Sequence, residues 1–213
     1  NFRNTSSLPL EGATPYGGWA TPYGPLGDDR GHFTGHFLSA TARAVNGTGD
    51  AVLGARAAAL VDILAQCQNA NAKRYPRFGP GYLSGFPTTY FDCLENLWRS
   101  PCRYMQVPYY NVHKIMQGLL DQHMMLGNPK ALPMVEAMAA YFYRRITAVL
   151  QRNGTQVWAQ ILETESGGMN DVMYQLYAVT GNPDHLAMAQ LFDKATWFGP
   201  LINGTDMLAG RHA

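Results

Sequence analysis

The sequence predicts an all-α fold of helix hairpins joined by long, aromatic-rich loops, on three observations. Apolar residues recur at helical spacing, strand-like alternation is scarce, and one kind of corner, a glycine followed by Asp or Asn, recurs between amphipathic segments.

The corners are Thr48-Gly49-Asp50, Leu126-Gly127-Asn128-Pro129 and Thr180-Gly181-Asn182-Pro183. A glycine just past a helix takes the left-handed conformation that closes it. The Asp or Asn accepts the first free amide hydrogens of the next helix, and proline suits that helix's first turn.

The first hairpin carries Phe37, Leu38, Thr41 and Val45 before its corner and Leu53, Leu60, Ile63, Leu64 and Cys67 after it. In the second, Val112, Ile115, Met116, Leu119 and Leu120 precede the corner, and Val135, Met138, Ala139, Phe142 and Ile146 follow. The third has Val172, Met173, Leu176 and Tyr177, then Leu186, Ala189 and Phe192. Periodicity alone leaves open whether such hairpins stack as a solenoid or curl into a toroid.

Two segments fall outside the hairpins, 1–31 and 71–108. The second carries Tyr75, Phe78, Tyr82, Phe86, Tyr90, Phe91, Trp98 and Tyr104. Rings at that density either line a sugar site or pin the loop to the helices.

The chain of 213 residues, 46% hydrophobic, is long enough to bury one substantial core. A formal net charge of +1 and a charged fraction of 15% disfavour nucleic acid or an anionic membrane as partner and fit a neutral polar one. No run approaches the roughly 18 consecutive apolar residues of a membrane span, and the start, Asn1-Phe2-Arg3-Asn4, lacks a signal-peptide pattern.

Sequons begin at Asn4, Asn46, Asn153 and Asn203, so a secreted glycoprotein bearing N-linked glycans is expected, although Asn-Gly-Thr is also good turn chemistry. Cys93 and Cys102 bracket a short loop and suit a disulfide, whereas Cys67 lies on an apolar helix face. None of the cysteines has zinc-type spacing.

Three constellations carry chemistry. His32 and His36, four apart in Arg30-Gly31-His32-Phe33-Thr34-Gly35-His36-Phe37, share a helix face; without a third ligand the reading is hydrogen bonding to a polar ligand, or structure, rather than metal. Tyr109 and His113, one turn apart, are expected to point the same way, the histidine serving a sugar hydroxyl or the core. Glu163, Glu165, Asn170 and Asp171 surround Gly167-Gly168, yet the two glutamates are too close in sequence to be assigned opposite sides of a glycosidic bond.

Five strings in order, 30–40 (RGHFTGHFLSA), 81–86 (GYLSGF), 108–119 (PYYNVHKIMQGL), 167–181 (GGMNDVMYQLYAVTG) and 210–213 (GRHA), resemble motifs of the β-L-arabinofuranosidase family. The resemblance implies part of an (α/α)6 toroid acting on L-arabinofuranose-containing glycans. It also implies that His113 and His212 contact sugar, with Arg30, His32, His36, Tyr82, Tyr110, Glu165 and Asn170 as further substrate-binding candidates.

The family's zinc-bound cysteine nucleophile and its acid/base glutamate match no residue here, so the resemblance implies no cofactor within this chain, zinc belonging to the full-length family domain. The stop inside GRHA makes a fragment the expectation, completed by association with the rest of its domain or an extracellular assembly. Trp19-Ala20 stands where the family usually has Trp-Glu. That keeps a second reading, a non-catalytic structural or carbohydrate-binding glycoprotein on the same scaffold; a helical repeat that only binds other proteins is third.

Overall fold

The computed structural model describes residues 1–12, 29–97, 99 and 107–207. Every regular element among the described residues is helical: α1 (Phe2–Thr5), α2 (His32–Thr48), α3 (Ala51–Arg74), a 3₁₀ turn (Pro76–Phe78), α4 (Thr88–Glu95), α5 (Pro108–Leu126), α6 (Ala131–Glu165), α7 (Met169–Thr180), α8 (Pro183–Leu191) and α9 (Ala195–Ile202).

The glycines of the three corners close their helices as the sequence predicts, but at the second corner Asn128 accepts the Lys130 amide at 3.0 Å within a turn, and Pro129 precedes α6 instead of opening it. Gly49, Gly127 and Gly181 close α2, α5 and α7 at φ of 70°, 63° and 67°, values that L side chains rarely adopt. Asp50 then caps α3 by accepting from the amides of Val52 and Leu53 at 2.9 and 3.0 Å. Asn182 caps α8 through the amide of Asp184 at 3.0 Å, with Pro183 in the first turn.

These hairpins line up as an arc of a helical toroid. Inner helices α2, α5 and α7 lie side by side, α5 in the middle, and α3, α6 and α8 pack behind them. Helix α5 is enclosed on nearly every side, burying Val112, Ile115, Met116, Leu119 and Leu120. It reaches α2 through paired glycines: a Cβ on Gly35 would stand 2.2 Å from the Lys114 carbonyl, and one on Gly118 2.7 Å from the Gly35 oxygen.

Helix α6 is kinked at Gly154, where φ of 78° and ψ of 173° interrupt the helical path. The Asn153 sequon therefore sits at a bend within a helix rather than at its end.

For the described rings of the aromatic segment 71–108 the structure favours pinning over sugar lining; Trp98 and Tyr104 lie outside the described residues. The segment's first residues continue α3 and it contains α4. Tyr82, Phe86 and Phe91 are fully buried in the core, with Tyr75 and Phe78 packed against it. The rings pin the connection to α6, Tyr82 lying 5.2 Å from Tyr141 and Phe91 5.3 Å from Phe142.

A buried ion pair locks the same region. Arg145 Nε donates to Glu95 Oε1 at 2.5 Å and Arg145 Nη2 to Asp92 Oδ1 at 2.6 Å, while Tyr109 donates its hydroxyl to Glu95 Oε1 at 2.8 Å.

The 24 residues of α3 have a mean hydropathy of 1.2 over an 18-residue window, long and apolar enough to cross a membrane by length and composition. Its buried residues, among them Ala57, Val61, Leu64 and Cys67, form the stripe on which neighbouring elements pack. Cys67 is free and buried, and Cys93 is disulfide-bonded; its expected partner, Cys102, lies outside the described residues.

Candidate functional site

The concave side of the arc holds a cavity of about 360 Å³. It is lined by Gly35, His36, Ser39 and Arg43 from α2, His113, Lys114 and Gln117 from α5, and Gly168, Asp171 and Gln175 at the start of α7 and along it. Each set follows helical spacing, so each inner helix offers one polar stripe to a common hollow. The glycine contact between α2 and α5 brings the first two stripes together.

The far end of the cavity rests on Asp121, which is buried. Its Oδ1 accepts from Gln117 Nε2 at 2.9 Å, and its Oδ2 lies 3.7 Å from Arg43 Nη2. Gln175 bridges to α5 through Gln117 at 3.3 Å and donates to Asp171 Oδ2 at 3.0 Å.

At the other end a row of rings forms around the first turn of α5. His32 stacks on Tyr110 with centroids 5.6 Å apart, Tyr110 meets His113 edge-on at 5.1 Å, and the Lys114 ammonium lies 5.0 Å from the centre of the Tyr110 ring. The Nε2 atoms of His32 and His36 are 3.3 Å apart. Burial, and then mutual and Lys114 repulsion, hold His32 below its ordinary pKa; burial and Lys114 do the same for His36. Both are therefore biased to the neutral form.

His113 forms part of the cavity wall. Burial, with the adjacent Lys114 charge, pushes its pKa down to about 3, so the ring is neutral at any ordinary pH. The Gly168 amide donates to its Nε2 at 3.3 Å. Behind it stands Glu165, fully buried, whose Oε2 accepts the Tyr110 amide at 2.8 Å. Burial raises its carboxyl to about 8 despite the opposing amides of Tyr110 and Tyr109.

The other sequence candidates lie elsewhere. Tyr82 is a core residue whose hydroxyl donates to the Phe86 carbonyl. Arg30 is buried against the loop, donating to the Tyr90 hydroxyl at 3.0 Å, its guanidinium carbon 5.1 Å from that ring's centre. Asn170 ties α7 to the end of α8 through Asp193 at 3.2 Å. His212 lies outside the described residues. Tyr109 does not share His113's direction, since it enters the core beside Phe91 and Trp158. Glu163 is exposed and pairs with Lys194 at 3.0 Å, so the two glutamates do not face each other across a cleft.

Ser39, Arg43, Lys114, Gln117 and Gln175 were not singled out from sequence. The signal that finds them is the polar periodicity 36, 39, 43 on α2, 114, 117, 121 on α5 and 168, 171, 175 on α7.

The thiolate zinc centre of the resembled family does not fit the described residues. Cys67 is buried with its thiol pushed up by burial, Cys93 is in a disulfide, and no group of three or more His, Cys, Asp or Glu could hold a metal ion.

Compared with known families, the whole chain, residues 1–213, matches the family model described as "Beta-L-arabinofuranosidase, GH127 catalytic domain". A search of curated proteins found no match.

Proposed function

This chain belongs to the GH127 β-L-arabinofuranosidase family, a family of glycoside hydrolase catalytic domains, and we propose that its concave cavity binds an L-arabinofuranosyl unit at the end of a glycan. One observation carries the reading: three inner helices turn polar stripes, with a neutral His113 among them, toward a single hollow of about 360 Å³. That size is at the small end of the roughly 300–1,000 Å³ of ligand sites and suits one or two sugar rings. The wall carries little net charge, with Lys114 and Arg43 set against Asp171 and the underlying Asp121, as a polyhydroxyl ligand requires.

In this reading the wall residues serve binding and orientation rather than bond cleavage. Paired-carboxylate cleavage needs two acids flanking the scissile bond, and Asp171 is the one carboxylate lining the cavity among the described residues. The second reading is a carbohydrate-binding glycoprotein that keeps the scaffold without the reaction.

Secretion and N-glycosylation belong to the same proposal. The disulfide at Cys93 suits an oxidising compartment, and Asn4, Asn46 and Asn203 are exposed.

Titration calorimetry of the full chain with methyl β-L-arabinofuranoside tests the reading, with methyl α-D-glucopyranoside as control. Saturable binding of the arabinofuranoside is expected, weakened about tenfold, or roughly 1.4 kcal/mol, by Gln117→Ala or His113→Ala. Absence of binding, or binding that both variants leave intact, overturns it. Release of arabinose separates the hydrolase reading from the purely binding one.

A further inference from the structure

Glu165 is 0% exposed and is not among the residues that line the cavity, yet it is placed to control that wall. Its Oε2 accepts the amide of Tyr110 in the first turn of α5, one of the amides that a helix leaves without an internal partner. The chain then turns through Ser166, Gly167 and Gly168 directly onto His113, which lies one turn further along the same helix.

The contact at that turn is close. A Cβ on Gly167 would stand 2.8 Å from His113 Cε1 and 2.9 Å from the Tyr110 ring, and one on Gly168 3.3 Å from His113 Nε2. At Gly167, where φ is also 45°, a larger residue would force the imidazole to move, and at Gly168 it would crowd it. The amide of Gly168 points at Nε2, and because an amide can only donate, Nε2 must be the acceptor and the ring proton must sit on Nδ1. Nδ1 is buried and makes no well-formed hydrogen bond, and the Tyr110 backbone beside the ring favours a proton on the imidazole, so both sides agree on the Nδ1–H tautomer.

We infer that Glu165 is a positioning residue for His113: by fastening the 165–168 corner to the first turn of α5, it holds the imidazole in its Nδ1–H form, the Nε2 lone pair taken by the Gly168 amide, and so fixes the ring where it forms part of the cavity wall. This rests on the sugar-binding reading above and adds the residue that sets its geometry. The ring stays neutral over the working range, so its tautomer rather than its charge is what the corner governs.

Long-range ¹H–¹⁵N spectroscopy of the full chain, which reports the nitrogen carrying the ring proton, is combined with arabinofuranoside titration. The wild type is expected to show His113 with its proton on Nδ1. Glu165→Ala is expected to shift the tautomer balance and weaken the sugar about tenfold. Glu165→Gln retains a carbonyl oxygen to accept the Tyr110 amide and is expected to restore both.

A folded Glu165→Ala protein with an unchanged His113 spectrum overturns the inference. Should that variant fail to fold, the wild type and Glu165→Gln decide it, a proton on Nε2 in either being the overturning result. If His113→Ala binds sugar as tightly as wild type, the sugar-binding reading is what fails. If that variant loses binding while Glu165→Ala leaves tautomer and affinity intact, the positioning role alone fails.

Discussion

Gly118 presses against Gly35 where α5 crosses α2, so closely that a Cβ on Gly118 would stand 2.7 Å from the Gly35 carbonyl oxygen and 2.7 Å from the Leu38 Cβ. No larger residue fits on either side without moving backbone. This contact sets the spacing of two of the three helices that wall the cavity, placing His36 and Ser39 beside Lys114 and Gln117.

Gly35→Ala is therefore expected to cost about 1–3 kcal/mol or more, because the obstacle is the Lys114 backbone rather than a side chain that can swing away. It should also weaken sugar binding, since α2 must shift outward. Chemical denaturation and titration of the same sample check both. A stability equal to wild type would show that the helices tolerate a wider crossing.

Arg145 is the buried charge on which the α4–α6 contact depends. Removing it leaves Glu95, 3% exposed, without its cation, and breaking such a pair typically costs about 3–5 kcal/mol. Arg145→Ala is expected to lower the midpoint of thermal unfolding by on the order of 10 °C for a chain of this size. Arg145→Met combined with Glu95→Leu should recover part of the loss, because no unpaired charge then remains; scanning calorimetry of the two variants makes the comparison.

Two buried groups shifted in opposite directions contribute to the pH dependence of stability. His113 falls from 6.5 to about 3, so between those values the unfolded chain holds a proton that the folded one lacks, and stability rises with pH. Glu165 rises from 4.5 to about 8, so across that window the folded chain holds the extra proton and stability falls as pH increases.

Together these two groups contribute a rise up to the 4.5 value of Glu165, near-cancellation up to the 6.5 value of His113, and a decline toward about 8. Denaturation midpoints measured across this range should show that broad maximum. Glu165→Gln is expected to flatten the decline on the alkaline side and leave the acid limb in place.

The sequons differ in how they present the asparagine. Asn46 and Asn203 are exposed, whereas Asn153 donates its Nδ2, the atom a glycan would occupy, to the Glu95 carbonyl at 3.1 Å. In protein expressed through a eukaryotic secretory pathway, peptide mapping is expected to find occupancy at Asn46 or Asn203 and little at Asn153. Full occupancy at Asn153 would mean that the bond to Glu95 forms only after the chain has been modified, or not at all.

The hairpins were legible because their determinants are local. Val112, Ile115, Met116 and Leu119 announce a helix face whatever they pack on, and Gly127 or Gly181 needs only its own backbone to close a helix. His113 was found as a polar residue one turn from Tyr109 and Glu165 as an acid beside Gly167-Gly168, and the resemblance named both again. Arg43, Gln117 and Gln175 were missed because a polar stripe facing an inner hollow has the same periodicity as one facing bulk water. Tyr82 and Arg30 were placed in the pocket by resemblance, whereas packing against Tyr141 and Tyr90 draws them away from it.

The sequence by itself determined the helices, their corners and the family, since each depends on neighbours within a few turns or on the order of motifs along the chain. The tertiary structure alone decided which stripe became a cavity wall and which carboxyl was buried. Both depend on the close passage of α2 over α5 and on the 165–168 corner meeting α5, contacts between segments as far apart as Gly35 and Gly118 that no local pattern encodes.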